Sequence, residues 1–246
     1  MKYLFLLAVM AVACNTTSQQ PAKDITKTDS TALLPRPSAK GILAMYEELP
    51  GFDTLNLGTV ERDTLGQMTG KYKGRWLDSA YSRMLPVVLT NGIYPNEEND
   101  FTGFYACYKF PINERLTGLL TRTPGEYDIS VLSLLYYDHD ADSVGYAFDL
   151  LHDWGDAGDA VSYNTWLIRN QQSVDAWMAV NSIWEEAGDS VYNSNTIYFK
   201  ADLAARTLDT AYKNKPEWAE TFKYLIGEKT YEVPDSTYVN KHTISE

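Results

Sequence analysis

The chain has 246 residues, 44% of them hydrophobic and 22% charged, with a formal net charge of −12. These values exclude wholesale disorder and collagen-like repeats, and the acidic balance excludes a protein that grips phosphate backbones, so no nucleic-acid partner is expected. Only 3 His and 2 Cys accompany 18 Tyr and 6 Trp, which excludes a Cys-rich zinc module and a disulfide scaffold.

At the N-terminus one positive charge, Lys2, precedes the apolar run from Tyr3 to Ala13. The run is too short to cross a hydrocarbon core of ~30 Å, and it reads as a secretory signal peptide over 1–13. Ala11-Val12-Ala13-Cys14 resembles the lipobox of bacterial lipoproteins, with Ala11 where Leu is usual. The resemblance implies cleavage before Cys14 and lipidation of that cysteine. It places the protein in the bacterial cell envelope, anchored to a membrane, on the periplasmic face of the outer membrane. No acid follows within 15–20, so an acidic signal for surface display is not evident, and such display stays open. Residues 14–38 are rich in Ser, Thr, Gln and Pro, the composition of a disordered tether. One mainly β domain is expected over 39–246.

Along that domain, Trp76, Leu77, Ala80, Tyr81, Met84 and Leu85 form one stripe before Pro86, which predicts a helix over 75–85. Short runs rich in Tyr, Phe, Val, Ile and Leu predict strands at 103–111, 116–122, 129–137, 144–152, 160–169 and 190–200. The run 129–137 is apolar on both faces, as a central strand would be. Segment 173–185 fits helical and strand spacing alike. Its place between two good strands favours a strand. A second helix is expected over 216–226, from Pro216 in its first turn to Gly227 just past its end. Connections this short permit antiparallel neighbours only. The fold class is therefore mainly β: an antiparallel meander forming a barrel or a sandwich, with about two peripheral helices.

The sequence holds no nucleophile-elbow, phosphate-loop or zinc-protease motif. Cys107 lies in a strand pattern and reads as a small buried hydrophobe. Asp138, Asp140 and Asp142 alternate like the start of a calcium-binding loop, and Asp149 falls at the twelfth position. However, Ser143 stands where such a loop needs Gly, and the run from Val144 reads as a strand. A self-capped hairpin turn is the preferred reading and no cofactor is expected, with calcium as the alternative. His152-Asp153-Trp154-Gly155-Asp156-Ala157-Gly158-Asp159 is the most distinctive segment. Its two glycines suggest a tight loop with positive φ. His152 and Asp153 are not a dyad, because neighbours on a strand face opposite ways.

In a meander, alternate turns share one end of the sheet. The turns at 123–128, 153–159 and 185–189 would then form one rim carrying Glu126, Asp128, Asp153, Asp156, Asp159, Glu185, Glu186 and Asp189, with Tyr127 and Trp154 among them. Such an edge suits a cation, a basic segment or a sugar. The resulting expectation is a non-catalytic binding or interaction module for a glycan, a peptide or an envelope protein. The alternatives are a carboxylate- or metal-assisted hydrolase of envelope or dietary polymers, and a structural component of an envelope complex.

Overall fold

β-Branched and aromatic residues suit a pleated, half-buried surface, and here they build two facing sheets. The computed structural model describes residues 38–90, 102–125, 130–156, 158–171, 173–185, 192–210 and 216–227. All belong to the unit Arg36–Glu246. The signal peptide, Cys14 and the tether up to residue 37 lie outside the described residues.

In chain order the strands are β1 (Glu47–Glu48), β2 (Thr54–Asn56), β3 (Arg75–Trp76), β4 (Tyr105–Pro111), β5 (Leu116–Thr123) and β6 (Val131–Asp138). They continue with β7 (Ser143–Leu151), β8 (Trp154–Asp156), β9 (Asp159–Arg169), β10 (Val174–Glu185), β11 (Tyr192–Asp202) and β12 (Thr207–Thr210). The first sheet has the order β1-β4-β5-β6-β7, with β3 also on β4. The second has the order β12-β11-β10-β9-β2, with β8 also on β9. Among the described residues, all strand pairings are antiparallel except the two-residue contact of β1 with β4. The meander is thus a sandwich rather than a barrel.

The ambiguous segment 173–185 is a strand. Pairing with β9 on one side and β11 on the other runs along nearly its whole length. β6 is buried throughout, as its two apolar faces require.

The expected helix over 75–85 is corrected. Arg75 and Trp76 pair with Ala106 and Tyr105 as β3, and the Leu77 N–H donates to the Phe104 carbonyl. Only the short helix α1 (Ser79–Ser82) follows, capped where the Asp78 carboxylate accepts from the Ala80 and Tyr81 N–H groups. A second short helix, α2 (Val87–Thr90), comes after Pro86. The C-terminal helix α3 (Pro216–Ile226) stands where expected, and Gly227 ends it with φ 98°.

The inner faces meet in the main core. Phe110, Leu120, Leu132, Leu134 and Leu150 come from the first sheet, and Leu167, Val174, Ala176, Met178 and Ala201 from the second. The outer face of the first sheet is covered by a 3-10 helix, Ala39–Met45, and by α1 and its flanks, through Ile42, Tyr46, Leu77 and Leu85. On the outer face of the second, Trp218 and Phe222 of α3 sit against Trp166, Trp177 and Tyr198. Cys107 is buried as expected. Its thiol donates to the Tyr72 carbonyl at 3.3 Å, and burial pushes its pKa up to about 12.

Candidate binding site

Two short strands share one edge of β9 without meeting. β2 pairs with it as far as Asn56↔Trp166, and β8 pairs from Trp154↔Val161. Among the described residues, 162–165 have no strand partner on that edge. Asp153 fills part of the gap: its Oδ1 accepts from the Tyr163 N–H at 3.1 Å. Beside it lies a cavity of about 240 Å³ lined by Leu57, Gly58, Val60, Arg62, Leu151, Asp153, Ser162, Tyr163 and Asn164.

Local sequence builds the cavity wall. After β2 the chain tightens into a 3-10 turn, Leu57–Thr59, in which the Asn56 side chain accepts from the Gly58 N–H at 2.9 Å. A Cβ at Gly58 would stand 3.2 Å from the Asn164 Oδ1, so glycine lets this turn approach β9. Arg62 opens a small loop closed on Met68, where Gly66 takes φ 80°. Its Nη1 donates to the carbonyls of Gly66 at 2.9 Å and Ser130 at 3.2 Å, and its Nη2 lies 3.6 Å from the Asp153 Oδ2. Arg62 thus joins the first sheet at Ser130 to the start of β8. The Asp153 side chain is 46% exposed, so a carboxylate oxygen remains within reach of solvent.

Behind Asp153 lies a polar network on the outer face of the first sheet. The Asp149 Oδ1 accepts from the Ser133 hydroxyl at 2.6 Å and the Tyr146 hydroxyl at 3.2 Å. The His152 Nδ1 lies 3.8 Å from the Asp149 Oδ2, and its ring meets Tyr163 edge-on at 6.0 Å. Burial, and then the Asp149 charge, pushes both the Tyr146 and Tyr163 phenols above their ordinary value. Both hydroxyls therefore stay protonated at neutral pH. Asp149 stands between Ser133 and His152. In a catalytic triad the imidazole stands between, taking the serine proton. Ser133 is also fully buried, so this network orients side chains and presents no serine nucleophile.

The expected rim is only partly within view. Glu126, Tyr127, Asp128, Glu186 and Asp189 lie outside the described residues, as does the Glu185 side chain. The backbone of Glu185 ends β10 beside the β8–β9 hairpin, where Asp156 pairs with Asp159. Trp154 is half-buried opposite Val161. Gly158 has the expected positive φ of 102°, whereas Gly155 is an ordinary strand residue of β8. Sequence reading missed Arg62, which sets a cation beside these acids. It also missed that His152 faces Asp149.

At the opposite end of the β6–β7 hairpin the three alternating aspartates part company. Asp138 accepts from Arg115 at 2.7 Å and Arg206 at 2.8 Å, which hold its carboxyl far below the usual carboxylate range. Asp140 stands 3.4 Å from the Arg115 Nε. Asp142 accepts from the Tyr137 hydroxyl, the Ser38 hydroxyl and the Lys40 N–H, and its pKa is lowered too, chiefly by Tyr137. Among the described residues, no three His, Cys, Asp or Glu side chains gather as a metal site would.

Compared with models of protein families, with curated proteins and with solved structures, the chain matches none.

Proposed function

We propose that this protein is a lipid-anchored component of a bacterial envelope and acts as a non-catalytic binding module, with the β8–β9 end of the sandwich as its binding end. The observation that carries this reading is the cavity at the gap in the β9 edge. There Tyr163 and Asn164 of β9 line one cavity with Asp153, just before β8, and Arg62. A concave site with a few convergent polar groups is where ligands bind, and positions fixed by strands are precise. The anchor rests on the N-terminal resemblance. Cys14→Ser should move the protein from the membrane to the soluble fraction, and retention in the membrane would refute the lipid attachment.

The binding end is tested by hydrogen exchange on the full chain in detergent micelles, with and without a soluble extract of envelope polysaccharide and peptidoglycan fragments. Slowed exchange across 153–164 is expected, with the extract unchanged. New reducing ends or freed peptides would mark a hydrolase instead. No change at 153–164 would refute the assigned end.

A further inference from the structure

The cavity continues onto an uncharged polar strip, and the two together point to the chemistry of the ligand. Directly opposite residues share a face of a sheet. The register places Ser162, Asn181 and Thr196 in one row across β9, β10 and β11, and Asn164, Ala179 and Tyr198 in the next. These rows lie on the face where α3 covers Trp166 and Trp177, because they share strand parity with those residues. Ser162, Asn181 and Thr196 are half-buried, and Asn164 is exposed. The Thr196 hydroxyl donates to the Asn181 Oδ1 at 3.3 Å, so the Asn181 NH2 group remains a donor. Ser162 and Asn164 also line the cavity, which makes strip and cavity continuous.

We infer that this surface binds an uncharged oligosaccharide, with one ring in the cavity and the chain lying across Ser162, Asn181 and Thr196. This rests on the binding-module reading and narrows it. In a chain of net charge −12, a row made only of amides and hydroxyls offers no counter-charge to an ionised polymer. Arg62 and Asp153 already face each other, so a charged ligand would leave one of them unbalanced. Vicinal sugar hydroxyls donate and accept at once, which matches the part-exposed Asp153 carboxylate, the amides of Asn164 and Asn181 and the hydroxyls of Ser162 and Thr196. Half-buried Val60 and Tyr163 line the cavity and supply apolar surface of the kind that sugar C–H faces seek. Drug-sized ligands take pockets of roughly 300–1,000 Å³, so a cavity of about 240 Å³ suits one ring.

The test is calorimetric titration of the full chain in detergent micelles with three hexasaccharide classes: neutral glucose and mannose oligomers, amine-bearing chitosan oligomers, and uronate oligomers. A neutral hexamer should bind. Asn181→Ala and Asn164→Ala should each weaken it about tenfold, the loss of one or two hydrogen bonds, with the melting temperature unchanged for exposed Asn164 and lowered by at most a few degrees for Asn181, which also loses the Thr196 contact. Asp140→Asn, at the other end of the β6–β7 hairpin, should bind as the parent does. Binding confined to charged oligomers, binding indifferent to both asparagine variants, or no binding by any of the three would overturn the inference. In the last case, protection of 153–164 by the envelope extract would keep the binding module and discard the sugar. Loss of that protection as well would discard both.

Discussion

Gly118 sits in β5 directly opposite Phe110 of β4, and the Phe110 ring lies over it. A Cβ at Gly118 would stand 2.6 Å from Cζ and 2.9 Å from Cε1 of that ring. The ring is 1% exposed and meets Phe52 edge-on at 6.0 Å, so it has little room to withdraw. Gly118→Ala should therefore overpack the main core, at ~1–3 kcal/mol. Loss of chain entropy in the unfolded state offsets ~0.4–1 kcal/mol of this. The net loss is centred on ~1.3 kcal/mol, which lowers the melting temperature by ~3–5 °C for a domain of this size. Gly145 provides the control: a Cβ there meets nothing within 4 Å, so Gly145→Ala should be neutral or mildly stabilising. Phe110→Leu should relieve the clash, so that adding Gly118→Ala in that background costs nothing. Denaturant titration of the four variants of the Phe110/Gly118 cycle should give a coupling of ~1 kcal/mol or more. A Gly118→Ala protein as stable as Gly145→Ala, with no coupling to Phe110, would refute the packing of β4 on β5.

Other consequences concern protons, thiols and metal. Asp138 has a folded-state pKa far below its unfolded value, so its contribution is full above the ordinary carboxylate range and is lost as pH falls through and below it. Melting temperature measured from about pH 5 down to pH 2 should fall less steeply for Asp138→Asn than for the parent, and equal slopes would show that the Arg115–Asp138–Arg206 contact is not formed. With its pKa at about 12, Cys107 should react with a thiol reagent at pH 8 roughly a thousandfold more slowly than a free cysteine. In a Cys14→Ser background, labelling should appear only on unfolding, and rapid native labelling would contradict its burial. Saturating calcium should leave the melting temperature where chelator leaves it, because Asp138 and Asp142 already hold partners within the chain. A rise with calcium would restore the metal reading of Asp138, Asp140 and Asp142.

The strands from 103 onward were legible because each declares itself locally, through β-branched and aromatic runs between turn residues. Segment 173–185 was not, since Val174, Trp177, Met178, Asn181 and Trp184 fit helical spacing while Val174, Ala176, Met178 and Val180 fit strand spacing. Pairing on both sides decides it. The stripe at 75–85 misled for the same reason. Arg75 and Trp76 are held by β4, some thirty residues away, and local spacing cannot register that. Of the site, Asp153 and Trp154 stood out through their glycine-bounded segment. Arg62 carried no signal, because its partners Ser130 and Asp153 are remote in sequence. Asp149 and His152 meet through an irregularity: Leu132 pairs with Leu151 but Ser133 with Asp149, so Leu150 is an extra residue in β7. Such a bulge redirects side chains at a strand end and leaves only a weak mark on the alternation of residues.

The binding end is most directly located by NMR shift mapping of the isotopically labelled full chain in detergent micelles, with a saturating neutral hexasaccharide or the envelope extract. The expected result is a contiguous set of shifted amides at 57–62, 153–164 and 181, with the β6–β7 turn at 139–142 unmoved. Shifts centred on 139–142, with 153–164 unmoved, would contradict the assignment.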